Sequence, residues 1–333
     1  MDAIVLVGGL GTRLRPLTWQ RHKSLVPVVN RPAIDYLFDW LGRSGFERVV
    51  LALGLENEDL ARAYEGTRPA GMKLVIVREH HRMESGGAIR HAVLEAGVEG
   101  RFTVVNGDVF VDFDFRACLE RHLSAEADLT LALHPVSEPW SFGVAAVDGS
   151  GMVTGFVEKP PRGTEPSNLV NAGVWIFEPG LVDEIPPGAV RVEDTLFPSL
   201  VARRRRVLGY EFGGIWADIG TPARYLELNT ALLDRSPEGA LAEDVAVAPT
   251  ATVTRSSLGT GSRVGERATV VNSIAWERVE IGEGAVVEGS ILANDVQIGP
   301  GARISGAVIG AGASVGAGAN LPIGASVEPG AHV

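Results

Sequence analysis

A single cysteine, Cys118, among 333 residues excludes an intrachain disulfide and any cysteine-based metal site. That scarcity fits a reducing compartment, and a cytoplasmic protein is the expectation. No run of 18 apolar residues occurs, so no membrane-spanning helix is expected, and the apolar run Ala3–Val7 is too short for a signal sequence. Positive charge is also in deficit: 30 basic against 41 acidic residues give a formal net charge of -11. Without a broad cationic surface, neither nucleic acid nor an anionic membrane is an expected partner. Lysine is scarcer still, because the basic residues are arginine except for Lys23, Lys73 and Lys159. A lysine kept in so arginine-rich a chain suggests a site that needs a compact point charge. What is present is a 45% hydrophobic composition, enough for a sizeable core, in a length that suggests two domains.

The C-terminal end repeats itself. From Val247 the chain divides into five segments of 17 residues, VAPTATVTRSSLGTGSR being the first. Their first column is Val247, Val264, Ile281, Ile298 and Val315; the seventh is Val253, Val270, Val287, Ile304 and Leu321; the twelfth is Leu258, Ala275, Leu292, Ile309 and Ser326. Three inward apolar positions about six residues apart, often followed by glycine, describe a triangular coil with a short strand on each side. The pattern resembles the hexapeptide-repeat left-handed parallel β-helix, whose coils must stack to bury their apolar faces. A flexible Gly/Ala-rich tail would not keep this register five times. Upstream, apolar runs at 3–7, 48–53, 73–77, 102–105, 129–133, 144–147, 153–157 and 170–177 read as strands. Amphipathic stretches such as Ala33–Arg43 and Ala88–Glu95 read as helices between the early ones. This rhythm predicts an α/β domain with a Rossmann-like, mostly parallel sheet. The resulting division is residues 1–235 for that domain, a linker at 236–246 marked by Ser236-Pro237-Glu238-Gly239, and the β-helix at 247–333.

The first strand runs into Gly8-Gly9-Leu10-Gly11-Thr12-Arg13-Leu14-Arg15-Pro16-Leu17-Thr18. A glycine-rich turn after a strand lets backbone N–H groups approach an anion. No Gly-Lys-Ser/Thr follows, so it is not a P-loop, and Leu14 stands where a dinucleotide fingerprint has its third glycine. Cations follow instead: Arg13, Arg15 and then Lys23 in Lys23-Ser24-Leu25-Val26-Pro27-Val28. This pairing resembles the signature GGxGTRLxPLT then KPxxPV of the sugar-1-phosphate nucleotidyltransferases. Further segments match that family in order: Val105-Asn106-Gly107-Asp108, Phe156-Val157-Glu158-Lys159-Pro160, Asn171-Ala172-Gly173-Val174 and Trp216-Ala217-Asp218-Ile219-Gly220-Thr221-Pro222. The similarity spans nearly the whole chain, since many members carry a β-helix.

The resemblance implies that a sugar 1-phosphate oxygen attacks the α-phosphate of a nucleoside triphosphate and displaces pyrophosphate. The nucleophile is already ionised, so no general base is required. The obstacle is charge: at about 4 Å each pair of like unit charges repels by roughly 4 kcal/mol at an effective dielectric near 20. Such a site must supply cations and alignment. By the resemblance, Arg13 braces the triphosphate, Lys23 contacts the phosphates near the point of attack, and Asp108 and Asp218 ligate Mg²⁺. Leu6, Gly8, Gly9, Gly11, Thr12, Arg13, Glu84, Ser85 and Gly87 bind the nucleotide. Lys159 holds the sugar phosphate, Glu158 and Asn171 meet sugar hydroxyls, and Gly143 and Gly173 allow close backbone approach.

The chain departs from the family at Glu84-Ser85-Gly86-Gly87-Ala88-Ile89, which stands in place of the common LGTAGAL, and at Ser24, where proline is usual. LVGGLGTRLRPLT together with the β-helix resembles mannose-1-phosphate guanylyltransferases. GTP is therefore the favoured nucleotide, with uridylyl and thymidylyl transfer as alternatives. Glu84 could accept the guanine N1–H and N2–H donors that uracil and thymine lack. A non-catalytic subunit that senses nucleotide sugars is a further alternative, opposed by the intact Arg13, Lys23, Asp108, Lys159 and Asp218. An acyltransferase β-helix is disfavoured, because residues 247–331 hold no histidine. The β-helix is read instead as a surface for a homo-oligomer. Bland readings cover Arg203-Arg204-Arg205-Arg206, as the solvated end of a helix from Val192, and Cys118, as a small core residue.

Overall fold

The structure is a computed structural model that describes residues 1–55, 57–234 and 239–333. It divides into two compact units, one of residues 1–9 and 34–216, the other of residues 10–33 and 217–333. The split differs from the boundary expected at 235: the glycine-rich segment beyond Gly9 and the chain from Ala217 belong with the β-helix. Residues 236–238 of the expected linker lie outside the described residues.

The first unit is built on a nine-stranded mixed sheet. Its main path runs Val153–Glu158, Gly143–Val147, Leu169–Phe177, Phe102–Asn106, Asp2–Val7, Arg48–Leu53, Lys73–Arg78. Leu129–Pro135 joins this path at Leu169–Phe177 and carries Val207–Glu211 on its other side. Asp2–Val7 is parallel to both neighbours, with Leu6 opposite Ala52 and Asn106. Its continuous apolar run fits a strand covered on both faces, and Ala3, Ile4, Val5 and Val7 are fully buried. Helix Ala33–Arg43 turns Ile34, Leu37, Phe38 and Leu41 inward as its periodicity predicts. Every strand read from the sequence is present to within two residues. The direction differs, because the half centred on Leu169–Phe177 is antiparallel. The turn from Val147 to Val153 is too short for a crossover, so it makes an antiparallel hairpin. Trp175, Phe177, Phe102 and Phe197 fill the main core, with Ile89 and Ala92 of helix Glu84–Ala96.

A second correction concerns the arginine run. The helix spans Leu196–Ala202, not from Val192; Arg203, Arg204 and Arg206 are exposed beyond it, while Arg205 is drawn into ion pairs and is only half-exposed. Arg205 bonds Asp128 at 2.8 Å and Glu184 at 2.9 Å, and Arg206 donates to the Ala125 carbonyl at 2.8 Å. Cys118 is a core residue as read, its thiol pushed up to about 12 by burial.

In the second unit, parallel two- and three-residue strands stack into three sheets of six, five and five strands, the arrangement of a left-handed β-helix. The first and seventh columns align as the repeat predicts, Val247↔Val264↔Ile281↔Ile298↔Val315 and Val253↔Val270↔Val287↔Ile304↔Leu321. The twelfth column fails at its end: Val327, not Ser326, pairs with Ile309 and is buried, because Pro322-Ile323-Gly324 adds a residue to the last coil. The stack also begins ahead of Val247, as Ala240–Leu241 pairs with Ser257–Leu258. At one corner, buried serines form a ladder in which Ser273 N–H donates to Ser256 Oγ, Ser290 N–H to Ser273 Oγ and Ala307 N–H to Ser290 Oγ, each at 3.1 Å.

Hairpin Pro27–Val28/Arg31–Pro32 and helix Pro222–Leu233 pack on this stack. Val29 N–H donates to Asn229 Oδ1 at 2.8 Å, and the Asn30 amide donates to the carbonyls of Ala240 and Leu258, each at 3.0 Å. Trp276 Nε1–H donates to the Tyr225 hydroxyl at 3.0 Å. Among the described residues no helix is long and apolar enough to cross a membrane.

Candidate active site

In the first unit, strand order reverses direction of growth between Asp2–Val7 and Phe102–Asn106, and ligands of open α/β sheets gather at the carboxyl ends of strands at such a switch point. Gly8 and Gly9 follow one of these strands, Gly107 and Asp108 the other. Close packing explains the glycines. A Cβ on Gly107 would lie 2.3 Å from Val7 Cγ1, and Gly107 N–H donates to the Leu6 carbonyl at 2.9 Å. Asp108 is thereby placed half-buried at the strand end. Asn57, also buried, donates from its side chain to the Val7 carbonyl.

Helix Glu84–Ala96 starts beside this edge. Glu84 has a left-handed φ of 55° and its carboxylate takes Arg82 Nε at 2.8 Å. Ser85 Oγ donates to Glu193 Oε2 at 2.6 Å and accepts Val192 N–H at 3.1 Å. Gly86 N–H donates to the Val190 carbonyl at 2.8 Å, and a Cβ on Gly87 would sit 2.6 Å from the Gly188 carbonyl oxygen. Ser85 and Gly87 together with Gly86, a departure from LGTAGAL, therefore seat the segment 185–193 on the start of the helix. Glu79, which belongs to none of the sequence motifs, also faces this edge. Its Oε1 lies 3.5 Å from where a Gly8 Cβ would be, and its Oε2 accepts Met83 N–H at 3.3 Å. Burial holds the Glu79 carboxyl above its ordinary range, opposed by that backbone bond. A carboxylate following the third strand and facing the glycine turn is the signal that would have found it.

On the antiparallel side, Glu158 closes strand Val153–Glu158, and Lys159 follows with a φ of 47°. Glu158 Oε1 takes Lys159 Nζ at 3.2 Å and Arg191 Nη2 at 2.9 Å. Glycine at 143 makes room, since a Cβ there would be 2.7 Å from Glu158 Oε2. Asn171 Oδ1 accepts Trp175 Nε1–H at 2.6 Å and Gly173 N–H at 3.1 Å, bracing a register shift in its strand. Gly173 has a φ of 74°, and a Cβ there would press on Asn106.

The second unit gathers the remaining candidates. Gly11, at a left-handed φ of 61°, caps a 3₁₀ turn over Thr12–Leu14 that carries Arg13 into solvent. Thr18 Oγ1 donates to the Gly11 carbonyl at 2.8 Å, and the Lys23 stem packs on Gly11, its Cβ 3.1 Å from where a Gly11 Cβ would stand. Asp218 precedes helix Pro222–Leu233, which Thr221 caps. Its Oδ1 accepts Gly220 N–H at 2.6 Å and its Oδ2 takes Arg224 Nη1 at 3.1 Å. A Cβ on Gly220 would lie 2.6 Å from Asp218 Oδ1 and 2.9 Å from Arg13 Nη2. Glycine there lets carboxylate and guanidinium share one small space. Thus Gly11, Thr12, Arg13, Lys23 and Asp218 come together in this unit, and the other candidates lie in the first.

The family model described as Nucleotidyl transferase matches residues 2–235, and one described as GlmU-like, C-terminal hexapeptide, matches 222–311 and 246–329. The chain belongs to the nucleotidyl transferase family. It is 34% identical over 233 residues to the mannose-1-phosphate guanylyltransferase of Mycobacterium tuberculosis, covering 68% of this chain and 63% of that protein. It is 32% identical over 270 residues to the putative mannose-1-phosphate guanyltransferase of Sulfolobus acidocaldarius, covering 80% and 73%. The fold is shared with HddC of Yersinia pseudotuberculosis, solved complexed with GMP-PN, at a TM-score of 0.60 and 23% identity over 69% of this chain and 99% of that one. The aligned part thus spans less than two thirds of the Mycobacterium relative.

Proposed function

We propose that this protein transfers GMP from GTP to mannose 1-phosphate or a related sugar 1-phosphate and releases pyrophosphate. The observation that carries the reading is the cation-bearing glycine turn: the Arg13 guanidinium reaches the space over Gly220 beside Asp218, and the Lys23 stem lies against Gly11. These cations offset the repulsion between the two substrates, and Gly8, Gly9, Gly11 and Thr12 present backbone N–H groups to the triphosphate. Leu6 is the penultimate residue of the strand that leads into this turn. Asp108 and Asp218 are the residues that would hold Mg²⁺. Two carboxylates suit a hard cation that leaves most of its ligand positions to water and phosphate, and Asp218 is already oriented by Gly220 N–H. When bound, the ion supplies charge neutralisation at the phosphates. On the sugar side Lys159 meets the phosphate, while Glu158 and the amide of Asn171 meet hydroxyls, with Gly143 and Gly173 keeping that space open.

Glu79 and Glu84 are both carboxylates that could accept the guanine donors, and Glu79 is favoured because it faces the glycine turn whereas Glu84 is bonded to Arg82. A cytoplasmic homo-oligomer assembled through the β-helix belongs to the same reading, supported by Ile323, 84% exposed on the last coil. The test is a matrix of nucleoside triphosphates against sugar 1-phosphates, scored for pyrophosphate with and without Mg²⁺. GTP with mannose 1-phosphate is expected to lead, and Arg13→Gln is expected to lower kcat by about 10²–10³-fold. Preference for UTP or dTTP would replace the guanylyl reading. Binding of GDP-mannose with no turnover of any pair would favour a sensing subunit.

A further inference from the structure

A chain of polar contacts inside the first unit joins residues assigned to opposite substrates. Arg191 is its centre. Its Nη2 bonds Glu158 Oε1 at 2.9 Å, its Nη1 meets Asp194 Oδ2 at 3.3 Å, and its Nε lies 4.0 Å from Glu193 Oε2. Glu193, only 8% exposed, in turn accepts the Ser85 hydroxyl at 2.6 Å, and Ser85 opens the helix Glu84–Ala96. On the other side Glu158, its side chain 12% exposed, is also the partner of Lys159 at 3.2 Å.

A carboxylate beside the lysine meant for a phosphate is a conflict. Left alone, Glu158 would hold Lys159 as its own counter-ion and repel an incoming phosphate dianion. A guanidinium with several donors in a fixed plane can bond Glu158 and still reach two further carboxylates, which a lysine at the same position could not do. We infer that Arg191 is a positioning residue for the sugar 1-phosphate, a role that rests on the reading above. It fixes the Glu158 carboxylate over Gly143, neutralises it, and so leaves Lys159 available to the phosphate. Glu193 and Ser85 anchor Arg191 to the helix on the nucleotide side, which keeps it from following Glu158 when the sugar binds.

The test is steady-state kinetics on the full chain for wild type, Arg191→Gln, Arg191→Lys, Glu158→Gln and the double variant Glu158→Gln/Arg191→Gln, with thermal midpoints measured alongside. Arg191→Gln should raise KM for mannose 1-phosphate about tenfold, with KM for GTP and kcat changed less than about threefold. Arg191→Lys keeps the charge and should recover part of the loss; it also carries the test if the glutamine variant folds poorly. The decisive comparison is the double variant. If Arg191 acts through Glu158, adding Arg191→Gln to Glu158→Gln costs less than about twofold more. Independent, multiplying effects, an equal rise in both KM values, or a lowered thermal midpoint with unchanged KM would each overturn the inference. Wild type that turns over no pair of substrates removes the functional reading and this inference with it. An active wild type with an insensitive Arg191 removes the inference alone.

Discussion

Glu193 carries a pH signature at the scale of a single residue. Burial raises its carboxyl above the ordinary range, and the Ser85 hydroxyl and Arg191 oppose that shift without cancelling it. The folded chain therefore holds this proton more tightly than the unfolded one. The stability it lends is complete below the unfolded value of about 4.3 and is lost as pH rises through the raised folded value. Glu193→Gln, which keeps an acceptor for Ser85, should have a thermal midpoint that falls less than wild type as pH rises above the unfolded value; parallel curves would remove the assignment. The proposed choice of base is likewise assigned to single side chains. Glu79→Gln is expected to narrow the GTP-over-UTP preference by about tenfold, whereas Glu84→Gln should leave it within about twofold, and the reverse order would restore Glu84 to that role. Arg13, Lys23, Asp108 and Asp218 stand out in the sequence as candidates because each sits in a motif whose spacing is its signal. Arg191 does not stand out in this way, because its partner Glu158, and Ser85, which bonds the neighbouring Glu193, are distant in sequence and only the fold brings them together.

Short elements place these side chains, and their demands show in small residues. Helix Glu84–Ala96 can accept the segment 185–193 only because Gly86 and Gly87 present no side chain there. Gly87→Ala would force a carbon to 2.6 Å from the Gly188 carbonyl oxygen, and overpacking of that kind costs about 1–3 kcal/mol. A lowered urea midpoint at unchanged slope would register it. The serine ladder makes a parallel case in the β-helix. Ser273→Ala leaves the buried Ser290 N–H without its acceptor and is expected to cost about 1–3 kcal/mol, while alanine at the exposed Thr252 should cost little. The coil period was readable because three apolar columns recur together. Strand direction in the catalytic sheet was not, since an apolar run packs equally well either way, and the extra residue at Pro322-Ile323-Gly324 was hidden because the preceding columns still fit.

On the scale of the whole molecule, the compact units cut across the boundary that composition suggests. Residues 10–33, which hold Gly11, Arg13 and Lys23, cluster with the β-helix and helix Pro222–Leu233. The reason is a set of specific contacts with that stack: Asn30 to the Ala240 and Leu258 carbonyls, Ser257 Oγ to Asn30 at 2.8 Å, and Trp19 Nε1 to Glu328 at 2.7 Å. Arg15 and Arg21 add stacking, their guanidinium carbons 3.6 Å from the Trp19 ring centre and 5.2 Å from that of Trp276. The β-helix thus acts as a mould for the cationic segment, in addition to the surface for other copies proposed above. A chain cut after residue 234 keeps every motif residue yet loses these partners. It should retain the nine-stranded sheet by circular dichroism, lose pyrophosphate release by at least about 10²-fold, and become sensitive to protease within 10–33. Full turnover and protection of that segment in the truncated chain would show that the β-helix has no part in shaping it, and would leave the proposed contact between copies as the one role still assigned to it.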